Sequence, residues 1–97
     1  MDFTDFIATL AKSTPPKELT KLLRALWLDK KSDFSGAHAI AQHVDSEDGA
    51  NVHAYLHREE GDLPNARYWY TRAGRQAPTG SLHAEWEALV RRLLSSE

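Results

Sequence analysis

Apolar residues recur along the chain at intervals of three and four, with charged residues between them, the pattern of helices that each bury one face. Phe3, Phe6, Ile7, Leu10 and Ala11 predict a short amphipathic helix over 3–12. Thr14-Pro15-Pro16 ends it, because proline bars helical geometry at the residue before it and starts the next helix well. Leu19, Leu22, Leu23, Leu26 and Trp27 predict a second helix over about 16–30. Phe34, Ala37, Ile40, Ala41 and Val44 predict a third over about 34–44, capped by Ser32-Asp33. A fourth starts at the oxygen-rich Asp45-Ser46-Glu47-Asp48 and runs to about Glu60, where Gly61 suits the left-handed residue past a helix end. Asp62 caps the fifth, Pro64 fits its first turn, and Ala66, Trp69, Tyr70 and Ala73 form its packing stripe. Ser81 caps the last helix, with Leu82, Trp86, Leu89, Val90, Leu93 and Leu94 on one side. No stretch alternates as a strand. The expectation is an all-α domain over 1–97 with six helices: an N-terminal helix 3–12, a first hairpin 16–44, a second hairpin 46–76 and a capping helix 81–95. Its core is expected from Leu26, Trp27, Ala37, Ile40, Ala54, Ala66, Trp69, Tyr70, Ala73, Trp86, Leu89 and Leu93.

The two hairpins repeat. At an offset of 29 residues, Ala25-Leu26-Trp27 aligns with Ala54-Tyr55-Leu56, and Asp33-Phe34-Ser35-Gly36-Ala37 with Asp62-Leu63-Pro64-Asn65-Ala66. Small residues at Ala25 and Ala54, and again at Ala37 and Ala66, let antiparallel helices approach closely. On these residues, with Gly61-Asp62-Leu63 at the turn, Tyr70, Ala73 and the terminal Pro78, the chain resembles tetratricopeptide and Sel1-like helical-repeat hairpins over about 20–78. The offset falls short of that family's usual spacing, and Ala50 stands where its first-helix tryptophan would be. The resemblance implies a stack of hairpins that presents a protein- or peptide-binding surface. The phrase HAYLHREEGDLPNARYWYTRAG, followed by Glu85-Trp86, also resembles a small family of bacterial proteins that brings no activity with it.

Composition narrows the classes. The 97 residues carry a formal charge of −2, no cysteine, and 41% hydrophobic against 27% charged residues. Disulfide frameworks and thiol chemistry are therefore excluded. No apolar run approaches the ~20 residues of a membrane span. Asp2 and Asp5 stand where a secretory leader would carry positive charge. A cytoplasmic protein with no membrane partner is the expectation. Six lysines and arginines from Lys12 to Lys31 face Glu18 and Asp29, while Asp45 to Asp62 is strongly acidic. Arg72, Arg75, Arg91 and Arg92 sit where helix C-termini attract cations, and the acidic block opposes a polyanion, so no nucleic-acid partner is expected.

His53, His57 and Glu60 stand at i, i+4 and i+7 on one stripe of the fourth helix, and hairpin geometry brings His38 to the height of His53. Imidazoles and a carboxylate at that spacing can ligate a divalent metal or move a proton. The helical zinc-protease signature needs a glutamate directly after its first histidine, and here that residue is Ala54. Boundary histidines hydrogen-bonded to neighbouring helices are the expectation, with no metal and no cofactor assigned. No phosphate loop, nucleophile elbow or carboxylate pair is present. The function expected is a non-enzymatic interaction module, monomeric or a weak homodimer. Its binding surface would set Lys21, Arg24, Leu28 and Lys31 beside His53, His57 and Glu60 and take an acidic peptide. The alternative is a metal-binding or acid–base enzyme using His38, His53, His57 and Glu60.

Overall fold

A computed structural model describes residues 1–96 and contains six helices and no strand among them. They are α1 (Phe3–Thr9), α2 (Lys21–Lys30), α3 (Phe34–Ala41), α4 (Glu47–Glu59), α5 (Leu63–Arg72) and α6 (Leu82–Ser95). Side-chain caps set most of the starts. Asp2 accepts from Asp5 N and returns the favour as a capping box, Asp33 accepts from Gly36 N, Ser46 from Gly49 N, Asp62 from Asn65 N, and Ser81 from Ala84 N. Each satisfies one backbone N–H that the first helical turn leaves without an internal partner.

Three boundaries differ from the sequence expectation. α2 begins at Lys21, because residues 16–19 close an isolated turn (Leu19 N to Pro16 O, 3.3 Å) that buries Pro16 and Leu19. Thr20 is then extended, so the helix restarts behind it. α1 and α3 stop early, their last residues tightening into three-residue turns such as Lys12 N to Thr9 O and Val44 N to Ala41 O.

The two hairpins, α2–α3 and α4–α5, turn in the same way. Ser32 (φ 69°) and Gly61 (φ 85°) hold the left-handed position, and Asp33 N and Asp62 N reach back to Leu28 O and His57 O at 2.8 and 2.9 Å. Every one of these residues pairs with its counterpart at the 29-residue offset read from the sequence. Glycine adopts this conformation without strain and serine does not.

α4 lies at the centre, packed against α2, α3, α5 and α6, and every residue from Gly49 to Leu56 and on to His57 is buried. The main core joins Phe6, Leu23, Leu26, Trp27, Val52, Leu56, Trp86 and Val90 from four helices. Ala54, Ala66 and Tyr70 form a smaller cluster between α4 and α5. Of the expected core, Ile40 and Trp69 are only partly buried; the rest are buried as read. Two of the three tryptophan N–H groups are satisfied within the fold, Trp27 donating to Thr9 Oγ1 (3.1 Å) and Trp86 to Leu26 O (3.0 Å). α6 packs across α2 and α4 together, so it covers the side on which the first helices of the hairpins meet. No described helix is long and apolar enough to cross a membrane.

Candidate functional site

Three histidines converge where α3 passes α4. His38 lies on α3; His53 and His57 lie one turn apart on α4, which sets their rings in a parallel stack with centroids 4.8 Å apart. His38 meets both edge-on, at 4.7 Å from His53 and 5.3 Å from His57. One nitrogen from each of the three lies within 4.8 Å of the others. His53 and His38 face each other through Nε2 at 3.0 Å, so one donates and the other accepts. His57 Nδ1 lies 2.7 Å from Glu60 Oε1. With Nδ1 turned to the carboxylate, Nε2 is the His57 nitrogen left for another partner.

The surroundings disfavour a charge on His53 and His38. Burial holds His53 down at about 4, helped by the neighbouring His38 and His57, against a smaller pull upward from Glu60. His38 is lowered for the same reasons: burial first, then His57, with Glu60 opposing. Aromatic walls hold the group from two sides. Trp69 stacks on His53 with centroids 4.1 Å apart, and Phe34 stacks on His38 at 5.9 Å. Arg72 lies over the Trp69 ring at 5.3 Å.

Two hollows flank the trio. One, of about 400 Å³, opens between Phe34, Ser35, His38, Ala39, Gln42, His57 and Glu60. The other, of about 330 Å³, reaches His53 past Trp69, Gln42 and the start of α4. Gln42 borders both.

The sequence-predicted residues thus divide. His38, His53 and His57 come together, with Glu60 bound to the last of them. The basic residues do not join them. Lys31 Nζ is held by the carbonyls of Leu10 and Lys12 at 2.7 and 3.1 Å, Arg24 reaches Lys17 O at 3.5 Å, and Lys21 borders an apolar hollow with Leu22, Val44 and Leu93. Half-buried Leu28 packs against the core. The basic residues and the histidines thus lie apart: α6 packs against α2 and α4, while the histidines face α3 and α5.

Two polar groups inside the fold escaped the sequence reading. Glu85 on α6 is buried and accepts from Arg58 (2.7 Å) and from Tyr70 (2.6 Å), while Arg58 also donates to Gly80 O. That contact ties α4, α5, α6 and the 74–81 loop together. Asp29 on α2 is buried beside Tyr55 and Glu59. Burial pushes Glu59 up to about 8, reinforced by its hydrogen bond to Asp29 and that group's charge, with Lys30 opposing. The signal for both was a carboxylate on an apolar stripe: Glu85 between Leu82 and Leu89, Asp29 after Leu22 and Leu26.

Comparison with protein-family models, with curated proteins and with solved structures gives no match. The functional reading rests on the site itself.

Proposed function

We propose that the chain is a divalent-metal-binding helical domain, with His38, His53 and His57 as ligands and Glu60 as the carboxylate that orients His57. The observation that carries this reading is the mutual approach of three imidazoles, two of them buried, within 4.8 Å. Tetrahedral zinc with bonds of about 2.05 Å places its nitrogen ligands about 3.3 Å apart. The 3.0 Å between His38 and His53 is close to that, and a nitrogen of His57 lies within 4.8 Å of both. A carboxylate on the far nitrogen of a ligating histidine fixes its tautomer and raises its basicity, which is the relation of Glu60 to His57. The depressed His53 favours this too, since metal competes with protons for the ring.

Calorimetric titration of untagged protein with zinc tests the reading. One ion per chain is expected, bound much more weakly in both His38→Ala and His57→Ala and with unchanged affinity in His43→Ala and His83→Ala, whose histidines are exposed elsewhere. Absence of binding, or equal loss in the His43 and His83 variants, refutes it. A second reading, the protein-interaction module, draws on the outer face of α5, which leaves Leu63 and Tyr68 52% and 53% exposed.

A further inference from the structure

We infer that this metal centre is open: an ion on His38, His53 and His57 keeps a fourth position that faces the hollow beside α3 and takes water or a small anion such as a carboxylate. The inference rests on the metal reading above and adds what the metal would do there. A centre with four protein ligands serves as a staple, whereas three ligands and an exchangeable fourth mark one that acts on a bound molecule.

The fourth protein ligand is missing for a physical reason. Glu60 is engaged by His57 Nδ1, and its oxygens group with His57 and Asp62, apart from the trio. Asp62 is committed to the N-terminus of α5, accepting from Asn65 N and from the Asn65 side chain. Among the described residues, no further histidine or carboxylate joins His38, His53 and His57.

The two sides of the trio differ. Trp69 stacks directly on the buried His53 and backs the centre with an apolar ring. His38 and His57 instead border the hollow of about 400 Å³. With water taking up ~30 Å³ per molecule, that space holds a small anion and several waters. Imidazole ligands add no charge of their own to the ion, and the Glu60 and Asp62 carboxylates stand on the His57 side of it. Gln42 lies one turn after His38 on the same face of the chain and borders the hollow. Its amide N–H₂ can donate to an oxygen carried by the metal. Gln42 is thus a positioning residue for the exogenous ligand.

Cobalt(II) substitution tests this, because its visible spectrum reports coordination. The full-length protein loaded with cobalt(II) is titrated with sodium azide and with sodium acetate. The expected result is a saturable spectral change with both, and affinity for the anions about tenfold weaker in Gln42→Ala, as loss of a hydrogen bond to a charged group implies. Cobalt affinity itself should be unchanged in Gln42→Ala. A bound cobalt spectrum that neither anion moves overturns the open site while leaving the metal reading intact. A Gln42→Ala variant that loses cobalt means that Gln42 is the fourth ligand and the site is closed. Failure of cobalt to bind at all refutes the metal reading itself.

Discussion

Gly49 tests how tightly the joint between α3 and α4 is built. A Cβ added there would stand 2.9 Å from the carbonyl carbon of Val44, 3.1 Å from Val44 Cβ, and closer still to the Val44 oxygen. Ordinary contact begins at 3.4 Å, so that carbon must retreat by 3.4 − 2.9 = 0.5 Å and the oxygen further. Backbone faces backbone, so no rotamer change relieves the clash. Overpacking a tight site costs about 1–3 kcal/mol, and this geometry belongs at the upper end. Alanine returns at most about 1 kcal/mol in helix propensity. The expected net loss for Gly49→Ala is about 2 kcal/mol, which lowers Tm by about 8–16 °C in a domain this small. Gly36→Ala is the matched control. There the added Cβ meets the flexible Asp33 side chain, and displacing that cap costs about 1 kcal/mol, which the same propensity gain cancels. Thermal unfolding followed by circular dichroism distinguishes the two. A Gly49→Ala protein as stable as its parent would refute the packing described here. The substitution also has a functional reading, since the joint sets His38 against His53: Gly49→Ala should weaken zinc binding even at temperatures where it stays folded.

Ser32→Gly should stabilise the protein by about 0.5–1 kcal/mol, raising Tm by about 2–8 °C, because the left-handed φ of 69° strains serine by more than the entropy glycine loses; an unchanged or lower Tm contradicts it. Tyr70→Phe removes the donor to buried Glu85 and should cost about 1.5–3 kcal/mol in urea unfolding; a loss under about 0.5 kcal/mol would mean that water already satisfies that carboxylate. Ala66→Leu overpacks the α4–α5 contact and should cost about 1–3 kcal/mol, whereas an unchanged Tm would place Ala66 outside that contact. The pH profile without metal follows from two histidines opposed by one carboxyl group. His53 is depressed in the folded state, so its contribution is present above pH 6.5 and is lost as pH falls to about 4, about 3 kcal/mol at 1.36 kcal/mol per pH unit. His38 is lowered too and acts in the same direction. Glu59 is raised, so its contribution is present below 4.5 and is lost as pH rises through about 8. Stability should rise from about pH 4.5 to 6.5 and fall from there toward 8; a steady rise from pH 4.5 to 8 would show that Glu59 is not held as described, and a steady fall that the histidines are not.

What was legible in the sequence was local. Caps at Asp33, Asp62 and Ser81, the break at Gly61 and the stripe from Leu82 to Leu93 depend on neighbours within one or two turns, and the helices formed there. The approach of His38 to His53 was also within reach, since a short hairpin loop fixes the height at which two antiparallel helices meet. Illegible were the consequences of distant packing. α4 is walled in on every side by helices that lie far along the chain, so Asn51, His53 and His57 are buried although their residue types suggest a surface. Glu85 reads as a defect in an apolar stripe until Arg58 and Tyr70 arrive from two other helices. The surroundings of Lys21, Arg24 and Lys31 were illegible for the same reason: nothing near those residues announces that α6 will pack on α2 and α4, or that the carbonyls of Leu10 and Lys12 will take up Lys31.

X-ray absorption at the zinc edge, on protein loaded with one equivalent of zinc, tests the central claim most directly. The account predicts three imidazole nitrogens at about 2.0–2.1 Å and one lighter oxygen scatterer, with one imidazole lost in each of His38→Ala and His57→Ala. A shell of oxygens alone, or a nitrogen count untouched by those substitutions, would contradict it.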